Sequence, residues 1–290
     1  VALLLTLVLV AGCGGGNQTE KKQSPSGQQQ QEAKQKKAQN KSKEDSDSLT
    51  VQGSTTVLPV AQKAAEVYME KNKEVNITVR GGGSGNGIAA LIDDATDIAD
   101  ASRMISQKEV NKAVKNGVYP VPHRIAMDGI AVVVHPSNSV KSLTLSELER
   151  IYTGKVENWK ELGGKDQEIV VVSRDSSSGT YEVFSEIAVG GKRVTKQALM
   201  QSSNGTIVST VAETKGAIGY VGLSYLSSDL KAVKVNGVKP NNSTVASGKY
   251  PIARPLFMFT DGWPTGLTAQ FINFVKSNRS EEHTSELQSL

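Results

Sequence analysis

Short apolar runs alternate with amphipathic stretches along residues 49–278, and glycine or a cluster of hydroxyls stands between most of them. Residues 49–53, 76–81 and 96–102 read as strands: short, rich in apolar and β-branched residues, and bounded by turn residues. Between the first two, Val60, Ala64, Val67 and Tyr68 recur at helical spacing, which predicts a helix over 59–72. A second helix opens at 85–94. Ser106 with Glu109, and Thr144 with Glu147, have capping-box spacing. In that pattern a hydroxyl and a carboxylate satisfy each other's backbone N–H groups. The two boxes predict helices through Val114 and over 145–154. Residues 129–135 form an unbroken apolar run, as expected of a strand with helices on both faces. Further strands are expected at 168–174, 217–222, 230–237 and 250–260, a helix at 179–189, and the opening of a last amphipathic helix at 271–276. Strands alternating with helices imply an α/β architecture with a mostly parallel sheet.

Both ends break the pattern. Residues 1–12 are apolar and end in small residues, but about 20 such residues are needed to cross a bilayer. The run reads as the apolar region of a secretory signal. Val10-Ala11-Gly12-Cys13 resembles a lipobox, so 1–13 is expected to be a signal remnant that ends in lipidation of Cys13. A buried apolar segment with a chance cysteine is the plain alternative. A diacylglyceryl group carries two chains, and two lipid signals suffice for stable anchoring. Residues 14–48 are a glycine run followed by Gln, Lys, Ser and Asn, with too little apolar surface to offset chain entropy. They are expected to form a disordered tether. Residues 279–290 read, up to Ser289, like the translation of a sequencing adapter and are set aside from the fold.

Composition narrows the function. The chain has 290 residues, and at about 150 per domain this suggests two domains. Lys plus Arg number 33 against 29 Asp plus Glu, a net charge of +4 that is too small and too dispersed to argue for nucleic acid. One Cys excludes a disulfide framework and cysteine-based metal sites, and three His make a histidine-rich metal site unexpected. His123, in a proline-flanked turn, and His135, at a strand end, both read as structural.

The candidate chemistry lies where strands end. The first strand runs into Ser54, Thr55 and Thr56, the second into residues 81–85 (Gly-Gly-Gly-Ser-Gly), the third into Ser102 and Arg103, and the strand at 168–174 into Arg174, Asp175, Ser176, Ser177, Ser178, Gly179 and Thr180. Three of these loops open directly into a helix. A helix start offers unsatisfied N–H donors and about half a positive charge, a combination that binds anions. Any one loop by itself reads more readily as an ordinary cap or turn. Four on one type of element point to a shared anion, since open α/β sheets bind ligands off the C-terminal strand ends. Arg174 supplies a planar fork for a tetrahedral oxyanion, the alternative being a surface ion pair with Asp175 or Glu182. Arg103 divides evenly between ion pair and site. Neither G-x-G-x-x-G, G-x-x-x-x-G-K-[ST] nor G-x-S-x-G occurs, so the nucleotide-loop and hydrolase-elbow readings fail.

GSTTVLP, GGGSGNGI, DIADASR, DGIAVVV, LTLSELERIYTGKVENWKELGG, RDSSSGT and AIGYVGLSYL follow one another in the chain. In this order they resemble the phosphate-binding lipoproteins of bacterial phosphate ABC importers (PstS-type), over nearly all of 49–278. The resemblance implies a two-lobed periplasmic-binding-protein fold of type II. Each lobe would be a mostly parallel sheet flanked by helices, with the ligand cleft between them. Lobe 1 would comprise 49–128 and 252–278, and lobe 2 129–251. The family's phosphate ligands fall on Thr55, Thr56, Ser84, Arg174, Ser178, Gly179 and Thr180. Ser102 completes the set where some members carry Asp, and Ser176 stands where some carry another acid. Asp128 and Asp175 are the nearest carboxylates that could compensate. The implied protein is a monomeric receptor, not an enzyme, without cofactor or metal, that hands inorganic phosphate to membrane permease subunits. It would be held by Cys13 on the extracytoplasmic face of the cell membrane. Another tetrahedral oxyanion such as sulfate, or a phosphatase on the same fold, are the alternatives.

Overall fold

A computed structural model describes residues 47–277. The signal remnant with Cys13, all but the last two residues of the predicted tether, and 279–290 lie outside the described residues. In chain order the elements are β1 (Ser48–Gly53), α1 (Leu58–Lys71), β2 (Asn76–Gly81), α2 (Ser84–Ile92), β3 (Ile98–Ala101), α3 (Gln107–Lys115), β4 (Pro120–Val134), β5 (Ser142–Leu143) and α4 (Leu145–Tyr152). There follow β6 (Val170–Arg174), α5 (Gly179–Ala188), β7 (Leu199–Gln201), α6 (Asn204–Glu213), β8 (Ala217–Gly222), β9 (Lys231–Val235), α7 (Asn242–Ala246), β10 (Ala253–Asp261) and α8 (Gly266–Lys276). Pro59 sits in the first turn of α1, where its missing N–H costs no bond. Both capping boxes form: Glu109 accepts from Ser106 N at 2.8 Å, and Glu147 from Thr144 N at 2.7 Å.

The strands follow the order β2-β1-β3-β10-β4-β8-β6-β7, with β9 and β5 joined at β4. β1 pairs parallel with β2 and β3, β6 with β7 and β8, and β5 with β9. Every antiparallel strand pair involves β4 or β10. The sheet is therefore parallel at its flanks and antiparallel in the middle.

β4 corrects two expectations. It begins at Pro120, nine residues before the predicted 129, so His123 lies within a strand and not in a turn. Among the described residues, its only strand partner up to Met127 and Asp128 is β10, and no described strand pairs with its other edge there. Prolines can sit on such an edge without losing a ladder bond, which is why Pro120 and Pro122 do not end the strand. Nε2 of His123 is hydrogen-bonded with the Thr260 hydroxyl at 2.9 Å, a structural role as expected.

Past Gly129 the same strand pairs with β8 and β9 instead. The buried apolar clusters divide at this point. Two are built from residues 49–118 and 256–275, and the other two from 130–252. The crossing itself pairs Asp128 with Arg254 and Gly129 with Ala253.

Asp100 lies on β3 between β1 and β10, only 1 % exposed, and its Oδ1 is buried with no hydrogen-bond partner. Burial drives its pKa well above the ordinary carboxylate value. The folded state thus holds a proton that the unfolded chain releases. The resulting stability is complete below the unfolded pKa and is lost as the pH rises through the folded one. Asp100→Asn has no such proton to lose. Its unfolding free energy is expected to fall less with rising pH than that of the parent. Urea titrations over a pH series check this, and parallel curves for the two proteins would refute it.

Candidate functional site

The hydroxyl loops predicted from sequence meet in the interior. After β1, the Thr56 N–H donates to Ser54 Oγ at 3.1 Å, which tightens the turn into α1. This places Thr56 Oγ1 2.9 Å from Thr180 Oγ1, on the first turn of α5. Thr55 is buried beside them and accepts from Asn204 Nδ2 at 3.0 Å.

The glycine loop after β2 delivers Ser84 to the head of α2. Gly83 takes φ +99°, a conformation that side chains disfavour, and a Cβ there would lie 2.5 Å from Ser177 Oγ. The loop can therefore press against the one after β6, where Gly85 N donates to Ser177 O at 2.9 Å. Ser84 Oγ accepts from Ser102 N at 3.0 Å and stands 3.3 Å from Ser102 Oγ. Gly179 closes on both: a Cβ there would meet Ser84 Oγ at 2.5 Å and Ser102 Oγ at 2.9 Å. Ser178 caps α5, its Oγ accepting from Tyr181 N at 3.2 Å.

Arg174 is 1 % exposed, so the alternative of a surface ion pair does not describe it. Its Nε and Nη2 donate to the backbone carbonyls of Gln201 (3.1 Å) and Ser202 (2.9 Å). Burial lowers its pKa. Arg103, by contrast, is an ion-pair residue, though a buried one. It binds Glu109 through Nη1 and Nη2, both at 2.8 Å, and its Nε lies 2.8 Å from Glu182 on α5. Burial pushes the Glu109 carboxyl up, but its bonds from Arg103 and Ser106 outweigh that and hold it below the usual range.

Three participants were not singled out by sequence reasoning. Asn204, fully buried at the start of α6, donates from Nδ2 to both Thr55 Oγ1 and Thr56 Oγ1 and accepts from Gly222 N. Its signal was the Ser203 and Thr206 spacing, which forms a capping box. Tyr225 donates its hydroxyl to Thr55 O at 2.6 Å. Arg254 reaches in from β10, its Nη2 within 3.2 Å of Thr56 Oγ1 and 3.1 Å of both Thr180 Oγ1 and Asp128 Oδ2. Burial raises the Asp128 pKa despite the arginine beside it. Asp175 turns instead to its own loop and accepts from Ser177 N at 2.8 Å.

The result is a buried cluster of hydroxyls, the Arg254 guanidinium, Asp128 and the starts of α2, α5 and α6, with Arg174 buried at the end of β6. Such a set of donors suits an oxyanion. Among the described residues no group of three or more His, Cys, Asp or Glu is placed to hold a metal ion.

Residues 29–279 match the model of the PBP superfamily domain. The chain is 40 % identical over 233 residues to the phosphate-binding protein PstS of Bacillus subtilis, covering 80 % of this chain and 76 % of that one. It is 35 % identical to the PstS protein of Staphylococcus epidermidis over 72 % of this chain and 67 % of the relative. Among solved structures, the putative phosphate ABC transporter substrate-binding protein of Clostridium perfringens with bound phosphate superposes with a TM-score of 0.77 at 35 % identity, over 83 % of this chain and 98 % of that one. An ABC-type phosphate transport receptor from Vibrio cholerae gives 0.68 at 31 % identity, over 82 % and 98 %. The fold is accordingly the two-lobed periplasmic-binding-protein arrangement. The chain belongs to the PBP superfamily and, within it, to the family of the phosphate-binding proteins PstS.

Proposed function

We propose that this protein is the extracytoplasmic receptor of a phosphate ABC importer. It captures inorganic phosphate between its lobes and passes it to membrane permease subunits without chemical change. The observation that carries this reading is the convergence of Thr56, Ser84, Ser102, Gly179, Thr180 and Arg254 in one buried cluster, with Arg174 buried at the end of β6. The names of its relatives support the choice of phosphate. Lobe 1 comprises 49–128 with 252–278, and lobe 2 comprises 129–251, in keeping with the division of the cores and with the strand crossing at Asp128. Phosphate is held by Thr55, Thr56, Ser84, Ser102, Arg174, Ser178, Gly179 and Thr180. The receptor works as a monomer tethered through lipidated Cys13. Ligand contacts made by both lobes are the differential term that stabilises the closed state.

Calorimetric titration with phosphate and sulfate, beside a phosphatase assay on the same sample, tests the reading. Tight phosphate binding without turnover supports it, and preference for sulfate or release of phosphate from an ester overturns it. Arg174→Met is expected to lose about 1.5–3 kcal/mol of phosphate affinity, the scale of a hydrogen bond to a charged group. A variant that binds within twofold of the parent would remove Arg174 from the ligand set.

A further inference from the structure

The guanidinium of Arg254 is held in place but not satisfied. The group carries five N–H donors. Nη2 faces three acceptors, Thr56 Oγ1, Thr180 Oγ1 and Asp128 Oδ2, at 3.1–3.2 Å. Nε and Nη1 are buried and meet no acceptor, in a residue only 2 % exposed. A guanidinium serving merely as counter-ion to Asp128 would turn its fork to the carboxylate. Here Asp128 receives one nitrogen, and its Oδ1 is engaged by Leu223 N at 3.1 Å.

The neighbours say what the remaining donors are for. The two threonine hydroxyls that Nη2 touches are the pair through which the loop after β1 and the head of α5 meet. Burial brings the Arg254 pKa down to about 10, Asp128 opposes the fall and Arg174 adds to it. The group therefore keeps its charge at neutral pH. Asp128 is the carboxylate paired with Arg254, while the Arg174 guanidinium donates to backbone carbonyls, so the charge of Arg254 meets one counter-ion and its other two nitrogens meet none.

We propose that Arg254 is a second anion-binding guanidinium of this site, contacting a doubly charged tetrahedral oxyanion with the donors left on Nε and Nη1. Asp128 then positions the arginine, and β10 carries it from the strand crossing to the ligand. This rests on the phosphate-receptor reading above and adds a ligand residue to it. A second cation favours the dianion of phosphate over the monoanion, so it should strengthen binding as the pH rises through the second ionisation of phosphate.

Calorimetry with inorganic phosphate from pH 6 to pH 8 tests the proposal on the wild type, Arg254→Lys and Arg254→Met. Arg254→Met is expected to bind at least tenfold more weakly at pH 8 and to gain less affinity with pH than the wild type. Arg254→Lys should fall between them. Should Arg254→Met fail to fold, the paired variant Asp128→Asn with Arg254→Gln buries no charge and replaces it, with the same expectation. Variants that keep phosphate affinity within twofold of the wild type at both pH limits, whatever their thermal stability, would show that Arg254 only holds the strand crossing and overturn the proposal. A wild type that binds no phosphate would instead overturn the receptor reading itself.

Discussion

Alanine at position 179 is expected to abolish tight phosphate binding while leaving the ligand-free protein folded. Gly179 opens α5 with an ordinary negative φ, so alanine suits its backbone. In a helix interior, alanine is even favoured over glycine by about 0.5–1 kcal/mol. The obstacle is across the enclosure. The new Cβ would stand 2.5 Å from Ser84 Oγ, 2.9 Å from Ser102 Oγ and 3.0 Å from Arg103 Cγ. Arg103 cannot retreat easily, because Glu109 and Glu182 hold it from two sides. In the proposed receptor the ligand-free protein escapes the clash by opening, whereas the liganded one must bring these loops together. Binding should weaken a hundredfold or more, about 2.8 kcal/mol at 1.4 kcal/mol per tenfold. Calorimetry reads the loss, and thermal unfolding without phosphate checks that the fold survives. Affinity within threefold of the parent would mean that the loops do not close on Gly179.

The local signals that predicted this arrangement were strong wherever one short segment settles its own structure. The capping boxes at Ser106 and Thr144, and the alternation of hydroxyl loops with helices, depend on residues a few positions apart, and they formed as read. What the segment does not contain was harder to see. His123, which follows Pro120 and Pro122, reads as lying in a proline-flanked turn. Nothing in the segment reveals that, among the described residues, only one edge of its strand is paired there. The strand at 250–260 is legible from its apolar run, which carries a single charge, Arg254. Ile252, Arg254, Leu256 and Met258 alternate on its buried side. An arginine in such a register must find a partner in the interior, and that was the signal for the fifth strand end of the site. The fork assigned to Arg174 met a similar limit. Its sequence neighbours offered Asp175 and Glu182, while its actual acceptors are carbonyls of Gln201 and Ser202, brought alongside by the pairing of β6 with β7.

Asp128→Asn should produce the largest loss of stability and a measurable loss of selectivity. The carboxylate is 7 % exposed and accepts from Leu223 N through one oxygen and from Arg254 through the other. An asparagine has one oxygen for these two donors. If it keeps the Leu223 bond, its amide hydrogens face the Arg254 guanidinium. A buried cation left without its counter-charge costs about 3–5 kcal/mol. Denaturant unfolding of the ligand-free variant reads that term. The second effect concerns which anion is taken. Near neutral pH phosphate retains a proton that sulfate lacks, and only an acceptor can tell them apart. Ser102 and Ser176 are hydroxyls that can rotate to donate, and Asp175 is engaged by its own loop. Asp128, as the carboxylate paired with Arg254, can only accept. Facing sulfate, it would oppose two oxygens with no hydrogen between them, a mismatch of about 1–3 kcal/mol. Asp128→Asn removes this penalty, so the ratio of phosphate to sulfate affinity should fall roughly tenfold or more. Competition of sulfate against bound phosphate measures it. An unchanged ratio in a destabilised variant would leave Asp128 as the anchor of Arg254 alone, and would place the reading of the phosphate proton elsewhere in the enclosure.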